Sequence, residues 1–239
     1  MNRELTNRIR FILEDLVPPG LRDSFLFRGL VRAVWGKHVD RFAAFRERAA
    51  FLSEQEYDEL YRDYPHIHDQ TDNSEACIKR IISQVVGPSI CDVGCGSGML
   101  LRRIRAARPD IDELTGIDVQ LDDDTELDGP IRYLTGKVEA LPFPDRAFDT
   151  VICTHVLEHV LDFRQALAEL RRITKRRLII VVPREREYRY TFNPHFHFFP
   201  YLHSFLRFIH PVPAAYVCED ISRDIFYRED RPMEAAERC

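Results

Sequence analysis

The stretch Ile90-Cys91-Asp92-Val93-Gly94-Cys95-Gly96-Ser97-Gly98-Met99 sets the architecture. Ile90–Val93 reads as a short buried strand, three glycines at alternate positions interrupt it, and Met99–Arg108 reads as the helix behind them. Glycine lets the backbone turn with positive φ and lets a ligand approach where a Cβ would collide. The helix start behind the loop offers unpaired N–H groups and positive potential. Spacing narrows the ligand. A dinucleotide fingerprint G-x-G-x-x-G needs its third glycine at position 99, which is Met99, and a Walker loop needs Gly-Lys-Ser/Thr, which is absent.

From Ser89 onward, short apolar runs alternate with helical stretches. Ile90–Val93, Leu114–Asp118, Ile131–Thr135, Thr150–Thr154 and Leu178–Val182 read as strands, with helices over Met99–Arg108 and Phe163–Ile173. This rhythm predicts βαβ units, a parallel sheet and right-handed crossovers, an α/β fold. Tyr216–Ile221 and Asp224–Arg228 read as a closing pair of strands. The first 87 residues read as helical. Residues 4–17 place Leu5, Ile9, Ile12, Leu13 and Leu16 on one face before Val17-Pro18-Pro19-Gly20 stops them. Phe25–Leu52 carries a second apolar stripe, a further stop falls near Tyr64-Pro65, and Asn73-Ser74 caps a helix ended by Gly87-Pro88. The expected organisation is a helical N-terminal extension over 1–73, serving as lid, substrate contact or packing element, and a main domain over 74–239.

The chain's 239 residues carry 34 Lys+Arg against 39 Asp+Glu, a net charge of −5, with 45% hydrophobic and 31% charged residues. That composition supports a packed core and argues against nucleic-acid binding. No apolar run reaches the ~20 residues of a membrane span, and Met1-Asn2-Arg3-Glu4 does not open a signal peptide. Cys77, Cys91, Cys95, Cys153, Cys218 and Cys239 form no C-x-x-C pair and read as reduced, buried thiols of a cytoplasmic protein.

With D-x-G-x-G-x-G over Asp92–Gly98, the chain resembles the class I S-adenosylmethionine-dependent methyltransferases, in particular the small-molecule branch of ubiquinone and menaquinone methylases. The resemblance runs from about Ser89 to Val182. It implies a Rossmann-like fold with a mostly parallel seven-stranded sheet and helices on both faces. It also implies S-adenosyl-L-methionine as cofactor, with Asp92 orienting the ammonium and Gly94, Cys95, Gly96 and Gly98 lining the loop. Asp118 of Gly116-Ile117-Asp118, followed by Val119, matches the acidic residue that takes both ribose hydroxyls. A carboxylate suits a diol, and strand ends are where open sheets bind ligands. Gly136-Lys137-Val138-Glu139-Ala140-Leu141-Pro142-Phe143 resembles the segment contacting adenine. Lys137 replaces the usual Asp and is donor-only, which leaves adenine to the Val138 backbone or to Glu139. Thr154, His155, Glu158 and His159 resemble the segment facing the sulfonium and the substrate.

The implied reaction is methyl transfer to a small molecule, with a hydroxyl oxygen as the first candidate acceptor atom. His155, His159 and Glu158 are the first candidates for a general base, and His195 and His197 the second. Aromatic residues around 25–45 and 188–208 favour an apolar or aromatic acceptor. Other readings stay open. His155–His159 also spells H-x-x-E-H, a zinc-site pattern on a helix, although the context makes a helix start beside the cofactor the preferred reading and no metal is expected. As a strand, His195-Phe196-His197-Phe198 would put both histidines on one face, which keeps a His-site metalloenzyme as an alternative. Lys137 keeps open a methyltransferase-like domain that is non-catalytic or uses the cofactor otherwise. Asp122–Asp124 with Glu126 and Asp128 reads as a solvated acidic loop. Arg22–Arg48, with seven positive and three negative residues, suits a docked helix or lid, or peripheral contact with an anionic membrane surface.

Overall fold

The computed structural model describes residues 11–36, 40, 47–53, 55–57, 71–121, 129–190 and 195–231. Residues 1–10, the region around Tyr64-Pro65, the Asp122–Asp128 acidic run and Cys239 lie outside the described residues. The chain divides into two compact units, Met1–Asp69 with Glu185–Phe198 and Gln70–Arg184 with Phe199–Cys239.

In the smaller unit the main described helix is α1, Phe25–Trp35. Ser24 caps it, its Oγ accepting from Phe27 N at 3.2 Å, and Gly36 ends it at φ 66°. Phe27 and Val31 face inward and pack with Tyr190 and Leu13. The Val17–Gly20 stop is only partly realised. Pro19 opens a short helical turn, Pro19–Arg22, because a proline at the first helical position gives up no hydrogen bond.

The larger unit holds helices α2 (Glu75–Gln84), α3 (Met99–Ala107), α4 (Phe163–Ile173) and α5 (Leu202–Ile209). Its strands are β1 (Ser89–Val93), β2 (Glu113–Asp118), β3 (Ile131–Thr135), β4 (Phe148–Thr154), β5 (Thr174–Pro183), β6 (Tyr216–Ile221) and β7 (Asp224–Asp230). They form one sheet in the order β3-β2-β1-β4-β5-β7-β6. The first five run parallel and β7 is antiparallel to both its neighbours. The order reverses at β1, so the loops after β1 and β4 open at the switch point where such sheets bind ligands.

Alternation along the strands divides the core into two layers. Cys91, Val93, Val151, Cys153, Leu178, Ile180 and Val182 face α4 and α5, while Ile90, Ile152, Ile179 and Val181 face α2 and α3. The turn between β6 and β7 is made by Ser222 and Arg223, both at positive φ (54° and 69°), the conformation that suits a two-residue hairpin. The seven-stranded, mostly parallel α/β sheet is the one the sequence implies, including the closing pair β6–β7. One local expectation fails, and one conditional reading is not met. His195–Phe199, which as a strand would have put both histidines on one face, is irregular rather than extended, with Pro194 and Pro200 around it unable to donate to a ladder. His155–His159 forms turns rather than a helix start; the helix begins later, where Asp162 Oδ1 accepts from Gln165 N at 3.0 Å.

Candidate cofactor and active site

The glycine loop is stitched to the end of β2. Gly94 N and Cys95 N donate to Ile117 O at 2.7 and 3.2 Å, and Gly96 N donates to Asp118 Oδ2 at 2.8 Å. Gln120 N donates to Asp118 Oδ1 at 3.2 Å, so Asp118 turns toward the loop with its orientation set by backbone donors. Gly94, Gly96 and Gly98 all have positive φ (79°, 49° and 74°). Their surroundings differ. A Cβ at Gly94 would strike Val156 and one at Gly98 would strike the Tyr133 ring, whereas Gly96 faces open space within 4 Å. The loop is therefore closed at its two ends and open at its middle glycine. Gly98 starts α3 without a side-chain cap, which leaves first-turn N–H groups directed at the loop.

Under this loop lies Asp92, only 2% exposed. Its Oδ1 has no hydrogen-bond partner among the described residues. Burial, with the Asp118 charge added, pushes its carboxyl up to about 7. A buried carboxyl with an oxygen that lacks a donor among the described residues is a site for a cation or donor. Cys91, Cys95 and Cys153 are buried and their thiols pushed far up by desolvation, which removes them as nucleophiles.

The other predicted cofactor residues lie along the same strand ends. Val119, just beyond β2, is 44% exposed, a large apolar side chain offered to solvent. Lys137 is exposed, Glu139 is half-buried, and the Val138 side chain sinks into the core. The segment around them is clamped from α4 by two residues that the sequence reading did not single out. Glu169 Oε2 accepts from Leu141 N at 2.8 Å, and Arg172 donates to Leu141 O (3.0 Å) and Phe143 O (2.6 Å) while pairing with Glu169 at 2.7 Å. Their only advance signal is an (i, i+3) acid–base pair on a helix.

At the end of β4, Thr154 is buried and accepts from Asn73 Nδ2 at 2.9 Å. His155 follows at φ 55°, its N–H donating to Val181 O at 2.9 Å. Positive φ is strained for a histidine and marks a position that the surrounding structure holds. His155 Nδ1 lies 3.5 Å from Glu158 Oε1, and Glu158 is 1% exposed. His159 N donates to Val156 O at 2.9 Å, closing the turn. Within the smaller unit, His195 Nδ1 makes a short contact with the buried Glu185 carboxylate, and His197 is half-buried. The structure thus groups His155 with Glu158, and His195 with a residue, Glu185, that the sequence reading left out.

Tested against S-adenosylmethionine, these residues fit. Asp92 presents an unpaired buried acceptor, Gly96 presents backbone that a Cβ would obstruct, and Asp118 presents a carboxylate at the tip of β2.

Residues 91–182 match the family model described as "Methyltransferase domain". The chain is 33% identical over 89 residues to a malonyl-[acyl-carrier protein] O-methyltransferase of Serratia marcescens, covering 37% of this chain and 35% of that one. It is 27% identical over 110 residues to a demethylmenaquinone methyltransferase of Thermotoga maritima, covering 44% and 47%. The chain thus spans between about a third and a half of the length of these curated relatives. A protein of Pyrococcus horikoshii OT3 shares the fold with a TM-score of 0.53 at 15% identity, over 73% of this chain and 99% of that one. The stretch from Cys91 to Val182, with its glycine loop sewn to Asp118, is a methyltransferase domain of the class I, S-adenosylmethionine-dependent kind.

Proposed function

We infer that this protein transfers a methyl group from S-adenosylmethionine to a small-molecule acceptor, at a hydroxyl oxygen. The observation that carries the reading is Asp92, a buried carboxyl with an unpaired oxygen beneath an open glycine loop. Asp92 and the first-turn N–H groups of α3 would hold the methionyl end, and Asp118 would take the ribose diol through charge-assisted hydrogen bonds. Val119 offers an apolar face for the base, with the Val138 backbone and Glu139 serving its edge in place of the acid that Lys137 replaces. When bound, the cofactor supplies a methyl group already activated on a sulfonium.

The chain's remaining work is alignment, exclusion of water and removal of one proton. Held by Asp92, the glycine loop and Asp118, the cofactor would supply the methyl group to the acceptor oxygen, with S-adenosylhomocysteine as the departing product. Alignment to about 3–3.5 Å supplies most of the acceleration. The hydroxyl proton goes to a base. His155 is the first candidate, its Nδ1 lying 3.5 Å from the buried Glu158 carboxylate that orients it. His159, His195 and His197 are the further candidates. O-methylation is supported by the similarity to the O-methyltransferase of Serratia marcescens; the aromatic residues around 188–208 favour an apolar or aromatic acceptor. The larger part of the chain, expected over 74–239, carries the transfer, with the residues before it an appended segment, and the buried thiols of Cys77, Cys91, Cys95 and Cys153 suit a cytoplasmic setting. Among the described residues no helix is long and apolar enough to cross a membrane.

Calorimetry of the full chain with S-adenosylhomocysteine tests this reading. Saturable 1:1 binding in the micromolar range is expected. Absence of binding up to millimolar ligand overturns it. Incorporation of labelled methyl from S-adenosylmethionine into a panel of hydroxyl-bearing metabolites then identifies the acceptor class.

A further inference from the structure

Asn73 belongs to the larger unit and is left unexplained by the roles above. It precedes Ser74, whose Oγ caps α2 by accepting from Cys77 N at 3.2 Å, so the cap does not need the Asn73 side chain. Only 7% of Asn73 is exposed. Its Nδ2 donates to Thr154 Oγ1 at 2.9 Å and reaches Thr71 Oγ1 at 3.4 Å. Its Oδ1 is buried and meets no donor among the described residues. Buried amide oxygens in folded proteins are normally satisfied, and an orphan calls for an explanation.

The register supplies one. Val93 stands opposite Cys153 on the neighbouring strand, so Gly94 and Thr154 are the next residues along the two chains at the carboxyl ends of β1 and β4. Thr154 therefore anchors the Asn73 amide beside the mouth of the glycine loop. Beneath that loop is the second orphan acceptor, Asp92 Oδ1. Two buried acceptors, one on β1 and one on the segment before α2 tied to β4, both lacking donors among the described residues, match a group with several N–H bonds. A primary ammonium carries three.

We propose that Asn73 is a binding residue for the amino-acid end of the cofactor, its amide oxygen accepting a hydrogen bond from the ammonium while Thr154 holds the amide in place. The proposal rests on the function inferred above and adds a residue from outside the matched domain stretch. It also explains why Asn73 is buried against β4 instead of being left in solvent ahead of α2.

The test compares two probes on the same proteins by calorimetry: S-adenosylhomocysteine, which carries the ammonium, and 5′-methylthioadenosine, which lacks the amino-acid end. Asn73→Ala should weaken S-adenosylhomocysteine binding about tenfold or more, the worth of a hydrogen bond to a charged group. It should leave 5′-methylthioadenosine binding within about twofold. Asn73→Asp keeps the shape and an acceptor oxygen and should recover S-adenosylhomocysteine binding to within about threefold of wild type. Equal loss of both probes in Asn73→Ala, with no recovery in Asn73→Asp, assigns Asn73 a purely structural role and overturns the proposal. Undiminished S-adenosylhomocysteine binding in Asn73→Ala overturns it as well, while leaving the cofactor assignment intact. If wild type binds neither probe, the function inferred above and this proposal fall together.

Discussion

The loop after β1 and the turn after β4 stand at neighbouring strand ends, yet they are built by opposite means. Behind β1 the working surface is backbone: three glycines at φ 79°, 49° and 74°, tied through Ile117 O and Asp118 to β2. Behind β4 it is side chain: a histidine held at φ 55°, a buried Glu158 at 3.5 Å from it, and Thr154 bonded to Asn73. Backbone N–H groups have one geometry and read features common to every cofactor molecule. Side chains can be exchanged without unmaking the turn, which suits the half of a transferase that meets a variable acceptor. The first region therefore identifies the domain, and the second leaves the acceptor open.

Breaking the backbone side of this contrast should give the largest effects. Gly98→Ala forces an L-residue to φ 74° with its Cβ against the Tyr133 ring, and about 2–4 kcal/mol of stability should be lost in urea unfolding. Gly96→Ala, at φ 49° but facing open space, should cost about 1 kcal/mol. Its effect should appear instead as weaker S-adenosylhomocysteine binding, because the added methyl occupies the ligand's approach. Equal destabilisation by both substitutions would show that the loop is not open at its centre.

Asp118→Ala comes next. It removes the charge-assisted acceptor at the end of β2 and frees Gly96 N, so S-adenosylhomocysteine affinity should fall by about 100-fold. An affinity within threefold of wild type would place the ribose elsewhere.

The pH dependence sharpens the comparison further. Asp92, pushed up to about 7 by burial and by Asp118, is mostly protonated at pH 6 in the ligand-free protein. An ammonium requires its carboxylate, so binding releases a proton and affinity should rise about tenfold between pH 6 and about pH 8. Asp92→Asn should flatten that profile. For the ligand-free fold the sign is opposite. A carboxyl raised in the folded state contributes stability present below its unfolded value of 3.8 and lost as pH climbs toward about 7. Chemical denaturation across that window, wild type against Asp92→Asn, reads this term.

The smallest change in cofactor affinity is expected from the side-chain region. Glu158→Gln and Glu185→Gln alter the partners of His155 and His195 and should leave S-adenosylhomocysteine binding within about twofold, since neither removes a backbone donor of the loop. A tenfold loss in either would erase the division between the two regions.

Much of this was legible in the chain alone. Ile90–Met99, with its glycines and Asp92, and Gly116–Asp118 are local patterns, and local backbone rules interpret them without knowledge of the rest of the fold. His195–Phe199 shows the limit. Its alternation suits a strand, yet pairing needs a free edge, and β5 already has β4 and β7 as neighbours. The H-x-x-E-H run likewise suits a helix until the chain has to turn after β4. Glu169 with Arg172 and Asn73 were not legible as site residues, because each acts on a partner far along the chain: Asn73 meets Thr154 across 81 residues; Glu185 reaches His195 over ten residues, but through an irregular segment that no periodic pattern marks.

Composition and the order of turns and apolar runs were enough to establish an α/β sheet with a ligand loop behind its first strand, because hydrophobic period and glycine spacing act over a few residues. Folding in three dimensions was needed to turn Asp118 toward Gly96, to leave Asp92 Oδ1 and Asn73 Oδ1 buried without donors, and to set Glu158 beside His155. Those outcomes depend on strand order and packing between distant segments, which no short-range pattern encodes.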